Sequence, residues 1–315
     1  MTAAPPSRLI DYLTLAHEYL ESKEIEGARL DAELLLAEVV GLSRVELYTN
    51  HDRPLAQSEV KGFRELLRRR VSREPVAYIL GRREFWSLDL EVDRRVLIPR
   101  PETELLVETA LRALDGNLDD SAPTPFEEVR ARVAVTDARV LDIGTGSGAI
   151  AVALAVEGGN LRLVATDQSH SSLELAPSNA ERHGVADRIE FRHGDLFGAL
   201  SSDDKFDLIV SNPPYLKASE AEMLTPEVRS WEPTTALISG DDGMATTRRL
   251  IDGAPDHLDG DGWLLVEVGT QADDVRTYFE SNGWRNVTTL KDLASRDRVV
   301  AARPPLDGSA HGPNG

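Results

Sequence analysis

The chain of 315 residues contains no cysteine, which excludes disulfides, thiolate metal sites and a thiol nucleophile. It also lacks an apolar run long enough to cross a bilayer. The longest, around Ala149 to Val156, falls far short of the roughly 20 residues a spanning helix needs. Met1 to Arg8 does not have the charged-then-apolar layout of a signal peptide, so a cytoplasmic protein without membrane association is expected. Positive charge is scarce, with 35 Lys/Arg against 54 Asp/Glu and a net charge of −19. Nonspecific nucleic-acid binding favours the opposite sign; the acidity reads as solubility, and no nucleic-acid substrate is expected. One stretch departs from this balance. Lys61 to Arg100 holds eleven Lys/Arg and six Asp/Glu, a pattern open between a docking surface for RNA or a protein and a solvated helix face.

The length leaves room for two domains. Residues 1–81 read as a helical bundle. Ser7 can cap a first helix with Leu9, Tyr12, Leu13, Ala16, Tyr19 and Leu20 on one stripe. A second helix, Ala28 to Val40, carries Leu30, Leu34, Leu35 and Val39 and ends at Gly41. Shorter helices follow near Ser43 to Tyr48 and Ser58 to Val71. Residues 82–98 alternate as a β-hairpin linker, and Pro101 opens a helix through Leu114. Residues 115–137, acidic and proline-containing, read as a surface insertion. From Arg139 strands and helices alternate, predicting a Rossmann-like, mostly parallel sheet covered on both faces over 99–303. Pro177 predicts a kink or a late start in the helix Ser171 to His183. Residues 304–315 read as a disordered tail.

Two features of this α/β domain carry chemistry. Gly144-Thr145-Gly146-Ser147-Gly148, preceded by Asp142, lies between a strand and a helix, where glycines permit a tight turn and close approach of a ligand. Asp167, 19 residues past Gly148, ends the next strand and is placed to accept hydrogen bonds from ribose hydroxyls. Together they indicate an adenosine cofactor. The G-x-G-x-G spacing, and an acid after the third strand in Gly194-Asp195-Leu196-Phe197, favour S-adenosylmethionine over a dinucleotide. The second feature is Asn212-Pro213-Pro214-Tyr215, directly after the apolar strand Phe206 to Ser211. Neither proline can donate to a strand ladder, so the chain turns stiffly, with free carbonyls, an amide and an aromatic ring. Such a turn suits a planar NH2 group.

These residues resemble the protein-(glutamine-N5) methyltransferases that modify peptide chain release factors. The resemblance runs from the helical module to about Arg303. Besides the Asn-Pro-Pro-Tyr turn, it rests on Glu74-Pro75-Val76-Ala77-Tyr78-Ile79-Leu80-Gly81, Glu84-Phe85 and Leu97 to Glu104. It implies a Rossmann-like S-adenosylmethionine-dependent methyltransferase domain behind an N-terminal helical substrate-recognition domain. It further implies cofactor contacts at Gly144 to Gly148, Asp167, Leu196 and Asn212, and a target glutamine held by Asn212, Pro213, Pro214 and Tyr215. The implied partner is a class-one release factor, methylated in its Gly-Gly-Gln motif by a monomer that needs no metal. The family often has an aromatic residue where Leu196 stands, which weakens adenine stacking here.

The expected reaction is in-line methyl transfer governed by positioning and electrostatics. The Asn212 side-chain oxygen and the Pro213 carbonyl each accept an N–H of the substrate amide, and Tyr215 packs its ring on that amide. No general base stands out. Asp207 reads as structural, and Glu267 as lining the cleft. Arg100 and Glu102 are open between orienting substrate and capping a helix. Two alternatives remain: an amino-methyltransferase acting on adenine N6 or guanine N2, and a binding protein without catalysis that docks on a translation factor.

Overall fold

The computed structural model describes residues 8–116, 118 and 125–306. The chain divides into two compact units, one made of residues up to Arg82 together with Leu224–Trp231, the other of Arg83–Met223 with everything from Glu232 onward.

The first unit is helical: α1 (Leu9–Glu21), α2 (Ala28–Val40), α3 (Arg44–Thr49), α4 (Gln57–Val71) and α5 (Val76–Leu80). The Ser7 cap expected from the sequence lies outside the described residues. The α1 stripe is Leu9, Leu13, Ala16 and Leu20, and Tyr19 points to solvent instead. In α2 the buried face is also turned from the expected one, to Ala32, Leu35 and Leu36, with Leu30 exposed. Small Ala32 and Ala37 join the leucines there, a contribution that a count of large apolar residues misses. Gly41 ends α2 at φ 65°, and Ser43 with Glu46 forms a capping box for α3.

The basic stretch is neither a free surface nor merely a solvated face. Arg69 pairs with Glu74, and Arg70, 5% exposed, lies between Asp31 at 2.6 Å and Glu227 at 2.9 Å. Arg73 also reaches Glu227. Glu227 belongs to a short helix, α10 (Pro226–Trp231).

The second unit begins with a hairpin of β1 (Arg82–Phe85) and β2 (Leu88–Glu91). Trp86 and Ser87 between them both have positive φ, 54° and 57°, as a tight two-residue hairpin turn requires. The remaining strands form one seven-stranded sheet: β3 (Arg139–Ile143), β4 (Arg162–Asp167), β5 (Ile189–His193), β6 (Phe206–Ser211), β7 (Leu258–Glu267), β8 (Arg285–Lys291) and β9 (Asp297–Arg303). Their spatial order is β5-β4-β3-β6-β7-β9-β8. The first five are parallel, and β9 runs antiparallel to both neighbours.

Helices α6 (Glu104–Leu114), α7 (Phe126–Val133), α8 (Ala149–Glu157), α9 (His170–Arg182), α11 (Ala245–Gly253) and α12 (Ala272–Ser281) complete this unit. Alternate strand residues feed two cores: Val140, Leu208, Val210 and Leu265 pack with Val107 and Val152, while Leu141, Ile209 and Leu264 pack with Leu250 and Val275.

Two expectations change here, and a third is left largely outside the described residues. Residues 115–137 are not merely a surface insertion: Val129 and Val133 of α7 are fully buried in the first of these cores, and only 117 and 119–124 lie outside the described residues. Helix α9 starts at His170 and runs uninterrupted through Pro177. The free energy of packing Leu175, Ala176, Asn179 and Ala180 outweighs the hydrogen bond that proline removes. The tail from 307 onward lies outside the described residues, while Pro304 to Leu306 are described. Among the described residues no helix is long and apolar enough to cross a membrane.

Candidate active site

The strand order reverses between β3 and β6, which places a crevice at their carboxyl ends. Register decides what meets there. Ile143 is level with Ser211 on β6 and with Thr166 on β4, so Gly144, Asn212 and Asp167 leave three neighbouring strands side by side. Ser211 Oγ reinforces this by donating to the Ile143 carbonyl at 2.8 Å.

Gly144, Thr145, Gly146, Ser147, Asp167, Leu196, Asn212, Pro213 and Pro214 all line one cavity of about 310 Å³. Gly148 and Tyr215 do not line it. Gly148 holds the loop against α9: its φ is +81°, and an added Cβ would come within 3.3 Å of the Ala176 Cβ. The Tyr215 ring lies against Gly269. Burial and the nearby Glu267 carboxylate push its phenol up from the ordinary value.

The glycine loop is held from both ends by carboxylates. Asp142, with no exposed surface, accepts from Thr145 Oγ1 at 2.7 Å. Desolvation pushes its carboxyl up to about 7, despite this bond. Asp167 accepts from the Gly146 N–H at 2.8 Å through Oδ2 and from the Ser169 N–H at 2.8 Å through Oδ1. Desolvation raises its carboxyl too. Each of these oxygens keeps lone-pair capacity for a diol. An added Cβ on Gly144 or Gly146 would meet nothing within 4 Å, so the loop presents open backbone to the cavity. Asn179, fully buried, donates to the Ser147 carbonyl at 2.9 Å and brackets both backbone groups of Glu91. Asp195 is engaged by Arg249 at 2.7 Å, and Leu196 adopts φ 51° at the rim.

At the other end, Asn212 Nδ2 donates to Thr103 Oγ1 at 3.1 Å. Glu267, 2% exposed, lies near Thr103, and burial pushes its carboxyl up to about 7. Arg100 is fixed by Glu232 at 2.6 Å, and Glu232 also accepts from the Ile98 N–H. Asp207 accepts from the Arg139 N–H at 2.7 Å, away from the cavity. Sequence reading misses Thr103, Glu232 and the wall formed by Thr235, Ile238 and Thr246. Thr235 and Ile238 come from short turns without periodicity and Thr246 from the start of α11, whereas the paired Glu102 and Glu104 around Thr103 are the one local signal.

The donor set fits S-adenosylmethionine: an open glycine backbone, a carboxylate at the next strand end and a mixed polar and apolar cavity. A family profile described as the PrmC N-terminal domain matches residues 11–81, and one described as the methyltransferase small domain matches 116–227. The release factor glutamine methyltransferase of Geobacter sulfurreducens is 45% identical over 286 residues, covering 90% of this chain and 93% of its own length. That of Rhodopirellula baltica is 40% identical over 296 residues, covering 93% and 94%. Among solved structures, the hMettl16 catalytic domain in complex with an MAT2A 3'UTR hairpin superposes with a TM-score of 0.54 at 16% identity, covering 74% of this chain and 81% of that one. At that identity the likeness is one of fold.

Proposed function

The chain belongs to the release factor glutamine methyltransferase family, and from that premise we propose that the turn Asn212-Pro213-Pro214-Tyr215 presents the target glutamine to a methyl donor held by Gly144 to Gly148, Asp167 and Leu196. It is an S-adenosylmethionine-dependent enzyme that methylates a glutamine side chain of release factors. The observation that carries the residue assignment is the shared level of Gly144, Asp167 and Asn212 at the sheet's switch point. The finer target is the glutamine of the Gly-Gly-Gln motif of class-one factors, bound by a cytoplasmic monomer whose helical unit recognises the factor.

S-adenosylmethionine, when bound, supplies an electrophilic methyl group. The chain's own task is to make an amide nitrogen, whose lone pair is delocalised, a usable nucleophile. With Nδ2 committed to Thr103, Asn212 Oδ1 is free to accept one substrate N–H; Pro213, which has no N–H, offers its carbonyl to the other. Two accepted hydrogen bonds raise electron density on the nitrogen and fix its direction. Pro213 is buried, so water competes poorly for the same carbonyl. Tyr215, its ring against Gly269, steadies the turn.

The test is transfer of radiolabelled methyl to purified release factor, with RNA and DNA in parallel. Label in the factor and none in nucleic acid supports the reading. Asn212→Ala should abolish turnover while retaining most cofactor affinity, and near-normal kcat in that variant would refute the assignment.

A further inference from the structure

Arg95, Arg100 and Arg249 line the cavity, and their partners set them apart. Arg249 gives donors to Asp195 at 3.5 and 2.7 Å, and both side chains are more than half exposed. Arg95 spends Nε and Nη2 on Asp93, another largely solvated carboxylate. Arg100 is held differently. Its Nη2 donates to Glu232 Oε1 at 2.6 Å, and the Glu232 side chain is 1% exposed. Glu232 Oε2 accepts from the Ile98 N–H at 3.2 Å, so both oxygens of one buried carboxylate hold the stretch Ile98 to Arg100. Among the described residues this is the one hydrogen bond that the Arg100 side chain makes, which leaves four of the five guanidinium N–H groups to spend. A planar donor fixed by a buried carboxylate at a cavity wall suits a ligand oxygen, above all a charged one.

The place of Arg100 narrows the ligand. It stands three residues before Thr103, whose hydroxyl accepts from Asn212 Nδ2, and so belongs to the end of the cavity where the methyl group is transferred. The Arg95 carbonyl instead meets Ser172 of α9, beyond Asp167, and Arg249 lies by Asp195. Two ligand oxygens come to the Asn212 end in the proposed reaction: the glutamine amide carbonyl, and the carboxylate on the methionine arm of the donor. A guanidinium on the amide carbonyl would draw electron density away from the nitrogen, against the effect of Asn212 and Pro213. The carboxylate brings no such conflict and forms the stronger, charge-assisted bond.

We propose that Arg100 binds the methionine carboxylate of S-adenosylmethionine and that Glu232 is its positioning residue. This rests on the function proposed above and deepens it, since the ribose and adenine contacts leave the amino-acid arm of the donor unassigned. Glu232 has a second effect. The donor carries a sulfonium and an ammonium beside its carboxylate, and a lone guanidinium would repel both. Glu232 cancels that charge while leaving the N–H groups in place.

The experiment titrates the full chain calorimetrically with S-adenosylmethionine and with decarboxylated S-adenosylmethionine, which lacks only that carboxylate. Wild type should bind the complete form about 10- to 100-fold more tightly. Arg100→Met combined with Glu232→Gln removes both charges and keeps an acceptor for the Ile98 N–H. It should bring the two affinities to within about threefold of each other by weakening the complete form alone. Arg100→Lys, a charge without the planar fork, should fall between. Glu232→Gln alone should weaken the decarboxylated form more than the complete one, because two positive charges and no negative one then face an unneutralised guanidinium. Equal weakening of both forms overturns the role of Glu232. A wild-type affinity ratio in the double variant overturns the assignment of Arg100, and so does a raised KM for release factor at an unchanged ratio. Should the double variant not fold, wild type decides: equal binding of the two forms overturns the proposal without any substitution. If wild type binds neither form the parent reading fails, whereas binding without preference for the carboxylate defeats only the assignment of Arg100.

Discussion

Asn179→Ala tests whether the cofactor loop is held from behind by α9. The Asn179 side chain makes three hydrogen bonds, accepting from the Glu91 N–H at 2.7 Å and donating to the Glu91 carbonyl at 3.0 Å and the Ser147 carbonyl at 2.9 Å. Asn179 has no exposed surface, so water cannot replace it without a rearrangement. At about 1 kcal/mol net for each bond, the loss is about 3 kcal/mol, the upper part of the usual range for a point change. For a unit of this size that lowers Tm by roughly 6–12 °C. Trp86, Trp263 and Trp284 all lie in the second unit and only Trp231 in the first, so urea unfolding followed by tryptophan fluorescence reports chiefly on the relevant part. Calorimetric titration with S-adenosylmethionine should show weaker binding at the same time, because Ser147 belongs to the loop. Asn179→Asp keeps the acceptor for the Glu91 N–H but loses both donors and buries a charge, so it should be at least as damaging. A loss below about 1 kcal/mol with unchanged cofactor affinity would refute the reasoning.

Asp142 should make stability depend on pH. Its folded-state carboxyl lies at about 7 against an ordinary 3.8, so its contribution is complete below about 4 and is lost as pH rises through 7. The total is about 4 kcal/mol at roughly 1.4 kcal/mol for each tenfold change in proton affinity. Denaturant unfolding across that window should show the fall, and Asp142→Asn should flatten it. Gly148→Ala combines a left-handed φ with a close approach to Ala176; a cost of about 1–2 kcal/mol from the backbone alone should appear in unfolding, with reduced cofactor affinity. Arg70→Met leaves Asp31 and Glu227 without their buried partner, and should destabilise the helical unit by about 3–5 kcal/mol in thermal unfolding.

Elements with strong local signals are legible in the amino-acid sequence. Strand β6 begins and ends where its apolar run does, and α2 stops at Gly41, because a left-handed terminator is a local requirement. The elements that escape such reading do so for physical reasons. Pro177 carries a local penalty, yet α9 runs through it because Leu175, Ala176 and Asn179 are buried around it. Periodicity puts Tyr19 on a buried stripe, but it lies exposed at the margin of that face. Helices α10 and α11 carry no readable signal because the chain between Leu216 and Gly253 is broken by short turns without a period. The basic stretch cannot be interpreted locally, since Asp31 and Glu227, which neutralise Arg70, lie far from it in sequence.

The sequence by itself determined the chemistry on offer: a glycine loop after a strand, an acid at the next strand end, and an Asn-Pro-Pro-Tyr turn. Those are decided by residue type and close spacing, which the chain carries wherever it folds. Only the tertiary structure decided that the three stand level, because strand register is set by pairing between β3, β4 and β6. It alone decided that the Tyr215 ring packs against Gly269. And it alone joined Asn212 to Thr103, 109 positions away: a hydrogen bond between distant residues is a property of packing, and no local pattern encodes its direction.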